Sequence, residues 1–105
     1  MPAILYVRVK SDLDPQELAQ RMLERRPRFS EVPGLVQKIY GHNEATGDYC
    51  GIYFFEDNAS LAAFRESELA KTIPSAYEAT EVRPEIYEVL YPLHPERGPL
   101  PDEGV

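Results

Sequence analysis

The sequence predicts a small α+β fold: a four-stranded antiparallel sheet carrying two helices on one face. Three observations predict it. Strand-like and helix-like stretches follow one another in the order βαββαβ. The first helix is announced by a complete start signal at Asp14-Pro15-Gln16-Glu17. Two adjacent strand-like stretches are joined by a polar loop of hairpin type.

The first strand is Ile4 to Val9, rich in β-branched and aromatic residues, with Ile4, Tyr6 and Arg8 alternating against Leu5, Val7 and Val9. Asp14 then supplies an N-cap carboxylate, Pro15 takes the first helical position, Glu17 stands three residues past the cap, and Leu13 and Leu18 form a hydrophobic staple. Leu18, Met22, Arg25 and Phe29 share one side of this helix. Pro27 is expected to disturb its end, and Pro33-Gly34 marks the exit. Leu35 to Glu44 and Asp48 to Phe55 read as an antiparallel pair around Asn43 to Asp48.

Past Glu56, the run Asp57-Asn58-Ala59-Ser60 offers several N-caps. Leu61, Phe64 and Leu69 give one apolar stripe to a second helix ending near Thr72, before Pro74. Glu81 to Leu90 resumes strand character, and Pro84 within it argues for an edge strand or a bulge. One domain over 1–91 is expected, followed by a tail over 92–105 that carries four prolines and two glycines. The order is that of the ferredoxin-like fold. Two helices leave one sheet face open, yet Tyr6, Tyr40, Tyr53, Phe55, Tyr87 and Tyr91 put aromatics on both sets of alternating positions. A twin subunit is the simplest cover for the open face.

Eighteen acidic residues against eleven basic ones give a net charge of -7, which repels phosphate backbones and anionic membranes, so neither nucleic acid nor a membrane surface is expected as a partner. Arg21, Arg25, Arg26 and Arg28 stand with Glu17 and Glu24 on the first helix; a solvated face laced with ion pairs is the ordinary expectation, anion binding the alternative. Cys50 is the single cysteine, which excludes an intrachain disulfide and a cysteine-based zinc site. With neither a signal-peptide pattern nor a long apolar run, a cytoplasmic location is expected.

Glycine-rich phosphate loops, His-Glu-x-x-His and Gly-x-Ser-x-Gly are all missing from the sequence, and His94 falls in the proline-rich tail. The densest group of chemically useful side chains is Lys38, Tyr40, His42 and Glu44 on one face of the second strand, with Asn43 on the other, and Tyr49, Tyr53 and Phe55 on the neighbouring strand. Such a face offers an imidazole that titrates near neutral pH, hydroxyl and amide groups, and aromatic walls for a planar ligand. The same residues also suit a turn and a packed interface, where His, Asn and Tyr are common for backbone and packing reasons.

Three stretches carry a family resemblance: Val32-Pro-Gly-Leu-Val-Gln-Lys-Ile-Tyr40; Asn43-Glu44 with Gly51-Ile-Tyr-Phe-Phe-Glu-Asp57; and Phe64-Arg-Glu-Ser-Glu-Leu-Ala70 followed by Ile73-Pro74. From about Ile4 to Val89 the chain resembles the YdhR-like monooxygenases, a branch of the dimeric α+β-barrel superfamily that includes the antibiotic-biosynthesis monooxygenases. The resemblance implies a homodimer whose sheets join, a cavity between sheet and helices in each subunit, and oxygenation of a small phenolic or quinol-like compound without metal, flavin or haem. In such chemistry a base removes a phenolic proton and the electron-rich anion reacts with oxygen. His42 would be the base, Asn43, Tyr40 and Tyr53 would orient the substrate, Lys38 would stabilise the anion, and Phe55 would help wall the pocket. A binding protein for an aromatic metabolite, or an isomerase or lyase on the same scaffold, are the alternatives.

Overall fold

The computed structural model describes residues 1–100. It contains β1 (Ala3–Ser11), α1 (Pro15–Ser30), β2 (Leu35–His42), β3 (Tyr49–Phe55), the short helices α2 (Asn58–Arg65), α3 (Glu68–Lys71) and α4 (Ile73–Ala76), and β4 (Ala79–Glu88). All strand pairs are antiparallel and the sheet order is β2-β3-β1-β4, the ferredoxin-like arrangement with the first and third strands central. The helices cover one face. Ala3, Leu5, Val7 and Val9 of β1 and Tyr53 and Phe55 of β3 pack there against Leu18 and Phe29 of α1, Leu61 and Phe64 of α2, and Ile73 and Tyr77. Leu18 and Phe55 are fully enclosed.

The start of α1 follows the sequence signal: the Asp14 carboxylate accepts from the Gln16 backbone N–H at 3.1 Å, and Pro15 opens the helix. Its end does not. Pro27 lies inside α1, which runs on to Ser30. Pro27 deprives the Leu23 carbonyl of its helical donor, but Leu23 is 59 % exposed, so water can satisfy the carbonyl. The expected second helix is divided into two pieces, α2 and α3, and the short α4, with Pro74 in its first turn, follows beyond the expected end at Thr72. The Ser67 hydroxyl donates back to the Phe64 carbonyl and accepts from the Ala70 N–H at 3.2 Å, ending one helix and capping the next. β4 begins two residues earlier than expected and takes the edge position that Pro84 requires.

Of the tail expected over 92–105, residues 92–100 hold one short 3-10 turn at Pro95–Arg97, and 101–105 lie outside the described residues. No helix among the described residues is long and apolar enough to cross a membrane.

The uncovered sheet face presents Ile4 and Tyr6 from β1, Ile52 and Phe54 from β3, Ile39 from β2 and Tyr87 from β4, placed together by the strand register. Ile39 and Tyr87 are about half exposed. Arg8 crosses this side of the sheet to Asp48, its Nε donating to a carboxylate oxygen at 2.7 Å.

The turn into β2 depends on Gly34. Its φ is +77°, its carbonyl accepts from the Glu56 N–H at 2.9 Å, and a Cβ there would stand 2.2 Å from Ser60 Oγ and 2.5 Å from Ser60 Cβ. Strain and overlap therefore act together at Gly34→Ala, which is expected to lower stability by about 2–4 kcal/mol. Denaturant unfolding checks this; a loss under ~0.5 kcal/mol would show that the α2 start can move aside.

Candidate functional site

The Pro33-Gly34 turn sends β2 back beneath α1, and a cleft of about 750 Å³ remains between them. Met22, Leu23, Arg26 and Phe29 line it from the helix, Lys38 and Tyr40 from the strand. Register puts Lys38 opposite Tyr53, Tyr40 opposite Gly51 and His42 opposite Tyr49, and cross-strand partners share a face. Lys38, Tyr40 and Tyr53 therefore lie together on the helix side.

Lys38 is the focus of this cleft. Its Nζ lies 3.3 Å from the centre of the Phe29 ring, 4.3 Å from that of Tyr40 and 4.6 Å from that of Tyr53. Among the described residues no carboxylate pairs with it. Gly51 makes the placement possible: a Cβ there would meet Tyr53 Cε1 at 3.0 Å and the Lys38 Cε at 3.3 Å, so the lysine stem lies down where a side chain is missing.

Burial pushes the Lys38 amine down to about 7 from its ordinary 10.5, with the Arg25 charge adding to the effect. A shift of that size is roughly 5 kcal/mol in favour of the neutral amine. The ring faces favour the ammonium by about 0.5–2 kcal/mol each, and one cation cannot collect the full value from three rings. Burial wins, and the amine changes charge near neutral pH. Burial also raises the phenols of Tyr40 and Tyr53, which stay protonated and able to donate.

Arg25 backs the cleft. One of its terminal nitrogens donates to the Leu69 carbonyl at 3.3 Å and to Thr72 Oγ1 at 3.1 Å. Its guanidinium carbon lies 5.5 Å from the centre of the Tyr77 ring and 6.0 Å from that of Phe29. Among the described residues the Arg25 Nε–H and the Tyr77 hydroxyl, both buried, find no hydrogen-bond partner. The arginine row expected to be a solvated face is thus divided: Arg21 pairs with Glu17 and Glu78 on the outside, Arg25 turns inward, and Arg26 faces the cleft.

The other expected site residues lie away from this cleft: His42, Asn43, Glu44 and Tyr49 line a separate, open pocket of about 820 Å³ at the hairpin end, and Phe55 is in the core. His42 is exposed at the end of β2, its ring stacked on Tyr49 with centroids 4.5 Å apart. It is four residues from Lys38, about 13 Å along the strand, and is no part of the cleft lining. The Asn43 side chain is engaged by the hairpin loop, its Oδ1 accepting from the Ala45 and Thr46 N–H groups at 2.9 and 3.2 Å. Glu44 is exposed in the same loop, and Phe55 is fully enclosed behind Tyr53. Among the described residues no group of three His, Cys, Asp or Glu side chains is placed to hold a metal ion.

Phe29 and Gly51 were not anticipated as site residues, and Arg25 and Arg26 were expected on a solvated face with anion binding as the alternative. Phe29 had a signal, its helical spacing from Met22 and Arg25 on the inward side. Gly51 had one too, as a glycine inside a strand, which marks a close approach.

A ferredoxin-like subunit with a cationic, aromatic-walled cleft between its first helix and an edge strand defines the structural class. Over residues 4–95 the sequence matches the family described as "Putative mono-oxygenase ydhR", and the chain belongs to that family. No curated protein matches the sequence. Three solved structures share the fold. SnoaB, a cofactor-independent oxygenase from Streptomyces nogalater, has TM-score 0.72 at 13 % identity, over 88 % of this chain and 96 % of its own. A "Putative antibiotic biosynthesis monooxygenase" from Nitrosomonas europaea has TM-score 0.71 at 14 % identity, over 87 % and 92 %. A dimeric ferredoxin-like protein from Jannaschia sp. CCS1 has TM-score 0.63 at 16 % identity, over 85 % and 100 %.

An isolated cation in an apolar cleft destabilises the fold, so Lys38→Met is expected to be stabilising. The folded-state pKa lies below the unfolded one. The unfolded chain therefore binds more protons between about pH 7 and 10.5, and wild-type stability rises with pH through that window. Lys38→Met should gain about 1–3 kcal/mol at pH 6, with the gain shrinking towards pH 9.5. Paired melting curves at the two pH values check this, and a gap independent of pH would refute the assignment.

Proposed function

We propose that the protein is a cofactor-independent monooxygenase of a small phenolic or quinol-like compound, with Lys38 as its base. Membership of the family supports a monooxygenase-like function. The observation that carries the rest is the Lys38 amine, held among three rings with no carboxylate beside it among the described residues, at a pKa of about 7. A planar ring entering between α1 and β2 would bring its hydroxyl to Nζ. The neutral amine takes the phenolic proton, and the ammonium then stands against the phenolate it has made. The Tyr40 and Tyr53 hydroxyls are protonated donors for the same oxygen. The phenolate is electron-rich at its ortho and para carbons, where oxygen adds. The resulting peroxide collapses to a quinone with loss of water, so one oxygen atom enters the product, the other leaves as water, and all four electrons come from the substrate.

This assignment gives the base role to Lys38 instead of His42, because a small substrate at Lys38 leaves His42 about 13 Å away along the strand. Oxygen uptake and quinone formation are to be measured with naphthols and anthrols. The expected kcat/KM rises with pH through about 7 and levels off, as the amine loses its proton. Lys38→Met should reduce it ~10²–10⁴-fold, while His42→Ala should change it less than ~3-fold. Uptake at background across the panel, or full activity in Lys38→Met, would defeat the proposal.

We also infer that a second copy covers the open sheet face. Ile39 and Tyr87 leave an exposed apolar patch there together with Tyr6, Ile52 and Phe54, and the Jannaschia protein of the same fold is dimeric. Sedimentation should give twice the 12.0 kDa chain mass at micromolar concentration. Ile39→Asp should weaken association at least ~10-fold by placing an unpaired charge in the interface. A wild-type monomer at that concentration would contradict it.

A further inference from the structure

Among the described residues the cleft carries two cationic side chains, Arg26 and Lys38, and no acidic one, in a chain that has 18 acidic residues against 11 basic. On a negatively charged molecule a positive concavity attracts anions that the rest of the surface repels; a smaller pocket of about 170 Å³ lined by Arg65 and Lys71 has the same sign, but it lacks the facing aromatic walls of the cleft.

Arg26 differs from its neighbours on α1. Arg21 is held by Glu17 and Glu78, and Arg25 by Leu69 and Thr72. Arg26, at the mouth, has neither an ion pair nor a hydrogen bond among the described residues. Its charge reaches Tyr40 on the opposite wall, where it favours the ionised phenol. Arg26 and Tyr40 line the cleft from its two walls, and Tyr40 stands two residues from Lys38, about 6–7 Å along β2. That is roughly the span of a benzene ring with substituents at its para positions. A planar guanidinium is suited to a carboxylate, which it can engage by two parallel hydrogen bonds.

We propose that the cleft selects a hydroxylated aromatic acid, its ring between α1 and β2, its hydroxyl at Lys38 and its carboxylate on Arg26. The hydroxyl half rests on the oxygenation proposed above; the carboxylate half does not. The carboxylate belongs on Arg26 rather than Lys38, because an anion beside Lys38 before reaction would hold the amine protonated and abolish the base.

The probes are 4-hydroxybenzoate and its methyl ester, titrated calorimetrically into the wild type, Arg26→Gln and Arg26→Lys. Circular dichroism checks that the variants fold, as expected for substitutions at an exposed helical position. The wild type should bind the acid at least ~10-fold more tightly than the ester. Arg26→Gln should lose that preference with ester affinity unchanged, and Arg26→Lys should keep part of it. Equal binding of acid and ester, an acid preference that survives Arg26→Gln, or no binding of either at millimolar concentration would overturn the inference. Binding is read without turnover, so the two proposals fail separately. Arg26-dependent acid binding with no oxygen uptake removes the oxygenation alone. Oxygen uptake with neutral naphthols and no acid preference removes the aromatic acid alone.

Discussion

One unpaired amine organises this protein's candidate chemistry. Lys38 Nζ is held against Phe29, Tyr40 and Tyr53, and among the described residues no carboxylate neutralises it. Burial favours the uncharged form, the ring faces favour the charged one, and Arg25 tips the balance further towards the free amine. A lysine salt-bridged to an aspartate would stay charged and inert as a base. The missing counter-ion is therefore the feature that turns an ordinary side chain into a group able to exchange a proton at neutral pH.

The fold supplies that setting. Lys38 is on an edge strand, where α1 leaves a gap instead of packing tightly, so a cleft forms beside the core and not within it. Tyr53, on the adjacent inner strand, belongs to both: it stacks on the buried Phe55 and forms part of the lysine's aromatic surround. The cleft wall is consequently anchored in the hydrophobic core, which gives the rings fixed positions without a dedicated scaffold.

Much of this architecture was legible in the sequence because it depends on local chemistry. The Asp14-Pro15 cap, the Gly34 turn, the Asn43 loop and the edge position of Pro84 each follow from a backbone requirement that one or two residue types meet. The interruption at Ser67 was hidden, since a serine inside a helical pattern breaks it only when its hydroxyl captures a backbone group, as it does at Phe64 and Ala70.

The candidate site was legible only in part. Strand alternation correctly placed Lys38, Tyr40 and His42 on one face, but distance along the strand separates His42 from the others, and alternation carries no information about where a helix stops covering the sheet. Nor does helical periodicity tell an arginine on the surface from one that turns inward, as Arg25 does to meet Thr72 and Tyr77. Those distinctions are tertiary.

The most direct test is an NMR titration of ¹³C-labelled lysine side chains. The chain has three lysines, Lys10, Lys38 and Lys71, and loss of one signal in Lys38→Met assigns the resonance. A Lys38 midpoint near 7 is the result this account predicts. A Lys38 midpoint near 10.5 would contradict it, because the amine would then be an ordinary surface charge and the cleft would hold no base.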